Sequence, residues 1–246
     1  SCGSSRTRRP RGGGSAARAP DETRREGPRT LHELERRDLD LVALEIRLQG
    51  IADGLEGSCF SFKRNSDHIA AICPWGNRYR CYESKPAFGD MILGIPYVEF
   101  CVRPGTIASI LGFYHAAFGA PGAVGSDGAG SFGRVAIGRS QCLIFRETEK
   151  PIAPYDGHHI AVYVANFSGP YEYLKNRGLI SEDVRNHQFR FKDIVDPQND
   201  KSILLLEHEV RSLRHPMYHR PFINRDPMQS QRAYRRGRDA FVPFQR

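Results

Sequence analysis

The feature that most limits what this chain can fold into is an order of elements, strand then helix then strands, that it spells twice. YVEFCV (97–102) alternates Tyr97, Glu99 and Cys101 with Val98, Phe100 and Val102, so one face of this strand joins a core and the other does not. ASILGFYHAAFG (108–119) reads as a helix and GAVGSDGAGSFG as a Gly-rich loop, and RVAIG (134–138) and QCLIFRE (141–147) read as strands. HHIAVYV (158–164), GPYEYLKNRG (169–178), FRFKDI (189–194) and ILLLEHEV (203–210) repeat the order, with DPQND as the turn before the last strand. The pattern predicts β-α-β-β-β units of about 55 to 60 residues. Upstream, Leu34, Leu41, Leu44, Leu48 and Ile51 recur at helical spacing. They predict one amphipathic helix from Leu31 to Gly54 or Gly57, followed by strands CFSFK (59–63), HIAAI (68–72) and NRYRCYE (77–83).

Composition narrows the setting. No apolar run approaches the roughly 18 residues of a membrane helix, so a soluble protein without a membrane partner is expected. Six cysteines without a CxxC spacing argue against a zinc knuckle and against a dense disulfide framework, and for a reducing compartment. The net charge of +8 would suit nucleic acid. Ten arginines, however, lie in residues 1–20 and 232–246, where no aromatic platform accompanies them, so nucleic acid is not the expected partner. The expected location is the cytoplasm. The alternative is an organelle, since the acid-poor Arg/Ser/Ala start also fits the remnant of a transit peptide.

GIPYVEFCVRPGTIASILGFYHAAFGA, QCLIFRE, GHHIAVYVANFSGPYEYLKNRGL and FKDIVDPQNDKSILLLEHE resemble, in this order, the vicinal oxygen chelate superfamily. That superfamily includes glyoxalase I, bleomycin- and fosfomycin-resistance proteins and extradiol dioxygenases. The match covers residues 94–210 and is most specific at Phe113-Tyr114, at HHIAVYV and at Asp196-Pro197. CPWGNRYRCYE (73–83) resembles the closing strand of such a domain. The resemblance implies an α+β fold of paired βαβββ modules forming a cup-shaped half-barrel, preceded by an incomplete module. The expected divisions are a disordered basic segment (1–30), a partial module of a helix and three strands (31–90), a complete two-module domain (91–214) and a Pro/Arg-rich arm and tail (215–246). In that arm Tyr218 and Phe222 are expected to pack over a neighbouring module.

For the site, the resemblance implies a facial set of His and carboxylate ligands that leaves open positions on a divalent metal for two substrate oxygens. His159 matches the ligand of the second module's first strand. Tyr97 stands where the superfamily usually has His, with Glu99 on the same strand face as a ligand or general base. In the last strand, strict alignment gives Ile203 or Leu204, and the nearest carboxylate is Glu207, with Glu209 on the same face. Arg80 takes the usual Glu place of the partial module. The expected metal ligands are thus His159, Glu99 and Glu207, with Fe, Mn, Zn or Ni as the metal and otherwise no cofactor. Glu99 and Tyr97 are the catalytic candidates, and Tyr97, Cys101 and Tyr163 are the candidates for holding an organic ligand. Three functions follow: a metal-dependent lyase or dioxygenase, a non-catalytic small-molecule binder, and a subunit of a larger assembly. A homodimer or a module-pairing partner is a further expectation.

Overall fold

The computed structural model describes residues 31–36, 40–83, 85–89, 91, 93–152 and 154–218. The basic segment 1–30 and the arm beyond residue 218, Phe222 included, lie outside the described residues. Three βαβββ modules follow one another. The first holds β1 (Leu31–Arg36), α1 (Leu41–Ala52), β2 (Ser61–Arg64), β3 (His68–Ile72) and β4 (Arg78–Glu83). After the short β5 (Leu93–Gly94), the second holds β6 (Tyr97–Val102), α2 (Ile107–Phe118), β7 (Gly122–Asp127), β8 (Gly130–Ala136) and β9 (Cys142–Glu147). The third holds β10 (His159–Val164), α3 (Ser168–Asn176), β11 (Ile180–Arg185), β12 (Gln188–Val195) and β13 (Ser202–Ser212).

Three expectations are corrected here, each by a local cause. Residues 31–36 are a strand rather than the opening turns of a helix, and they complete the first module. The helix starts ten residues later because Asp40 caps it: its Oδ1 accepts from the Val42 and Ala43 amides at 2.8 and 3.2 Å. The Gly-rich stretch after α2 is a hairpin rather than a loop, with Asp127 Oδ1 accepting from Ala129 N (2.8 Å) at its turn. Its glycines make room for neighbours: a Cβ on Gly133 would stand 2.8 Å from Ile107 of α2. β11 carries no hydrophobic alternation and is formed instead by its turn, in which Asn186 and His187 both take positive φ (51° and 64°) and return the chain to β12.

In each module the first strand runs parallel to the last. The first sheet has the order β2-β3-β4-β1-β6-β9-β8-β7, and β10-β13-β12-β11 forms the second; both are curved and unclosed. Edge-to-edge pairing falls between the first and second modules, where β1 meets β6 antiparallel with His32 opposite Val98. The two modules at 91–214 are instead joined through their helix-covered faces. Phe100, Val102, Phe113 and Phe145 of the second share one buried cluster with Leu174, Phe189, Phe191, Leu206 and Val210 of the third. Each such fully buried side chain contributes about 1.5–3 kcal/mol. A smaller core of Leu41, Ile69 and Cys81 holds α1 on its own sheet.

One polar link crosses the joint. The His208 Nδ1–H donates to the Leu206 carbonyl at 2.7 Å, which leaves Nε2 to accept from the Tyr114 hydroxyl at 2.7 Å. The imidazole stacks on Phe191 at 4.3 Å and 13°, with 1% of its surface exposed. Burial pushes the His208 pKa down to about 4 and the Tyr114 phenol well above its ordinary value.

Candidate functional site

Strand alternation decides what each helix-free face carries. Val98, Phe100 and Val102 turn into the shared core, so Tyr97, Glu99 and Cys101 lie on the opposite face of the first sheet. There, Tyr97 Oη accepts from Arg80 NH1 at 3.1 Å. Glu99 is gripped at both oxygens by Arg146, at 2.9 and 3.2 Å. The same guanidinium donates to both oxygens of Asp127, at 2.8 and 3.0 Å, and lies over the Phe132 ring. Hydrogen bonding to Glu99, followed by that to Asp127, raises the Arg146 pKa. Asp127 is lowered, chiefly by Arg146 and then by the Ala129 amide. A carboxylate held bidentate in this way already has both oxygens occupied by a charged donor.

The helix-free face of the second sheet carries the other candidates. His159 and Glu207 are partners across β10 and β13, as are Ala161 and Glu209, and Tyr163 and Arg211. Arg190, opposite Glu209 on β12, donates through NH1 to Glu207 and through NH2 to Glu209. Its Nε lies 3.1 Å from Glu182 Oε2, an ion pair without an aligned hydrogen bond. Arg211 donates to Glu209 Oε2 at 2.5 Å and to the Tyr163 hydroxyl at 3.2 Å. His159 Nε2 stands 3.7 Å from Glu209 Oε1. Tyr155 approaches from the loop before β10, and burial, then the Glu207 charge, pushes its phenol up to about 12. Tyr218 of the arm packs on Tyr163 at 5.2 Å between ring centroids, within its own module, and stays 38% exposed.

The structure therefore brings together His159, Glu207 and Tyr163 on one face, and Tyr97, Glu99 and Cys101 on another. Both sheets turn their helix-covered sides toward the common core, so the two faces point away from each other. Glu99 does not meet His159 and Glu207 within the chain. Among the described residues no three His, Cys, Asp or Glu side chains stand close enough to hold a metal. The donor chemistry also does not fit the metal that the resemblance implies. Glu99, Glu207 and Glu209 each already accept from a guanidinium, which a cation would have to displace.

Concave space lies elsewhere. A cleft of 380 Å³ opens between the end of α2 and β10, lined by Tyr114, Phe118, Val162, Tyr163, Pro170 and His208 among others. A second, of 320 Å³, lies between the ends of β6 and β13, where Cys101 meets Tyr155, His158 and Leu204. Its His158 hydrogen-bonds Asp156 Oδ1 at 2.8 Å and stacks over Phe100. Sequence reasoning passed over His208, Tyr114 and His158 as site residues. The signal for His208 was available: it shares the core-facing phase of β13 with Leu206 and Val210, where an imidazole requires a partner.

Modules of this order in open curved sheets give the α+β architecture of βαβββ modules that the sequence pattern predicts. No protein-family model matches the chain, and comparison with curated proteins gives no match. Among solved structures it is similar to 2,2',3-trihydroxybiphenyl 1,2-dioxygenase from Sphingomonas wittichii RW1, at 13% identity and a TM-score of 0.43 over 75% of this chain and 67% of that one. It is similar to glyoxalase I from Zea mays at 12% identity and a TM-score of 0.46, over 74% of this chain and 66% of that one. An antibiotic-binding protein from Streptomyces sp. CB03234 aligns at 16% identity and a TM-score of 0.34, over 46% of this chain and 92% of that one.

Proposed function

We propose that the chain is a binding protein that takes a small, mainly apolar organic molecule into the cleft between α2 and β10 without using a metal held by His159, Glu99 and Glu207. The cleft carries this reading. At 380 Å³ it has the size of a small-molecule site, and Tyr114, Phe118, Val162 and Pro170 give it apolar walls with aromatic surface for a planar ring. Acid–base chemistry is poorly served there. His208 is spent on Tyr114 and on the Leu206 carbonyl, and an imidazole with a pKa of about 4 is a weak proton acceptor at neutral pH. The walls come from two modules, so the site depends on the joint between them.

2-Naphthol is a suitable probe, followed by isothermal titration calorimetry. It is expected to bind saturably to the wild-type chain. Ala165→Trp, an exposed position on the cleft wall, should weaken binding at least about tenfold by filling the space, roughly 1.4 kcal/mol. Tyr97→Ala, on the helix-free face of the other sheet, should leave it unchanged. Absence of saturable binding, or a loss with Tyr97→Ala and none with Ala165→Trp, would contradict the proposal.

A further inference from the structure

The cleft between the ends of β6 and β13 has a polar atom without a partner in its wall. His158, the residue before β10, is 9% exposed, and its ring packs against Phe100 at 6.3 Å and 24° and against Tyr155 at 5.0 Å. Asp156 holds it from one side. The Asp156 Oδ1 accepts from the His158 amide at 3.2 Å and from the ring Nδ1–H at 2.8 Å. That bond keeps the proton of the neutral imidazole on Nδ1 and leaves the Nε2 lone pair as an acceptor. Among the described residues Nε2 has no hydrogen-bond partner, and it remains open to solvent. His158 lines the cleft and Asp156 does not, so the ring edge turned to the cleft is the one that carries Nε2. A polar atom in a buried side chain calls for a partner, and here only water or a ligand can supply it.

We infer that this cleft is a second ligand site, and that it takes a small aliphatic alcohol whose hydroxyl donates to His158 Nε2. The walls set the body of the ligand: Val102, Ile152, Pro154, Ile203 and Leu204 surround a space of 320 Å³ with aliphatic surface. The imidazole sets its polar end. Ser202 Oγ already donates to Asp193 at 2.7 Å, and the Tyr155 hydroxyl is sealed from solvent. An acceptor fixed in an apolar wall selects a donor, so a hydroxyl fits where an ether or a carboxylate does not. The one charged residue of the lining, Arg103, is itself exposed and stands at the rim. No lining residue is shared with the cleft between α2 and β10, so the inference goes beyond the proposed function and does not rest on it.

The probe is cyclohexanol, titrated into the full chain and followed by NMR at the methyl groups of Ile152 and Ile203. These resonances should move saturably. Cyclohexyl methyl ether, which has no proton to donate, should bind about five- to tenfold more weakly, and cyclohexanecarboxylate no more tightly than the ether. Ala165→Trp, in the other cleft, should leave all three affinities unchanged. His158→Asn, which keeps a donor for Asp156 and lacks Nε2, should bring alcohol and ether to equal affinity. Two-bond proton–nitrogen spectra of the histidine-labelled chain should show His158 Nε2 unprotonated at neutral pH and shifted by cyclohexanol. The inference is overturned if cyclohexanol gives no saturable change, which would leave Nε2 to water, or if Nε2 carries the proton in the free chain. It is equally overturned if the ether or the carboxylate binds as tightly as the alcohol, or if His158→Asn still prefers the alcohol. The comparison of the three probes needs only the wild-type chain, so it decides the matter even if His158→Asn does not fold.

Discussion

Phe191→Ala should cost about 3–5 kcal/mol of stability and lower the thermal midpoint by roughly 6–15 °C. Phe191 has no exposed surface and lies where the two modules meet. Its ring packs against Phe113 at 5.8 Å and Phe118 at 5.9 Å, both from α2, and lies under His208 at 4.3 Å. Truncation removes the transfer energy of the ring and opens a cavity that β12, held in the middle of its sheet between β13 and β11, is badly placed to fill. The same loss should loosen the cleft, since Phe118 and His208 form part of its wall. Val124→Ala, at a position 69% exposed, is the control and should change stability by less than about 0.5 kcal/mol. Denaturant melts of the two variants provide the measurement. A cost below that of the control would mean that the joint between modules is not packed as described.

Acid should destabilise the chain through His208. Its folded pKa of about 4 lies below the ordinary value of 6.5, so the unfolded chain takes up the proton first. The contribution of the neutral imidazole is complete above pH 6.5 and is lost as pH falls from 6.5 to 4, a change of about 3 kcal/mol across that window. Urea melts at several pH values should show this slope. His208→Gln should be less stable at neutral pH, because the stack on Phe191 is lost, and should show a shallower slope between pH 6.5 and 4. Identical slopes in the two chains would remove His208 from the account.

The modules were legible because strand alternation and helix periodicity operate over a few residues. β6 keeps its predicted bounds, Phe100 and Val102 are buried as its phase requires, and α2 begins and ends within a residue of its predicted limits. β1 was hidden because Leu34 falls in phase with the leucines of α1, and only the Asp40 cap separates the two elements. β11 was hidden because it has no buried face to pattern, so its two-residue turn alone defines it. The site was less legible for a different reason. Register along one strand can be read locally, and His159 and Glu207 are cross-strand partners on one face. Which modules share a sheet, and which share a core, depends on contacts over long sequence distances that no local pattern carries. Glu99 was therefore grouped with residues from which its sheet turns it away. Nor does a sequence state which arginine will occupy a carboxylate, as Arg146 does for Glu99 and Arg190 for Glu207.

The central claim is that the carboxylates of both helix-free faces serve arginines rather than a metal. Elemental analysis of the wild-type chain, purified without chelators and compared with His159→Ala, tests it most directly. The account predicts less than about 0.1 equivalent of iron, manganese, zinc or nickel in either chain, and no change in thermal midpoint after chelator treatment. Close to one equivalent of a single metal in the wild type, absent from His159→Ala and accompanied by a lower midpoint after chelation, would contradict it.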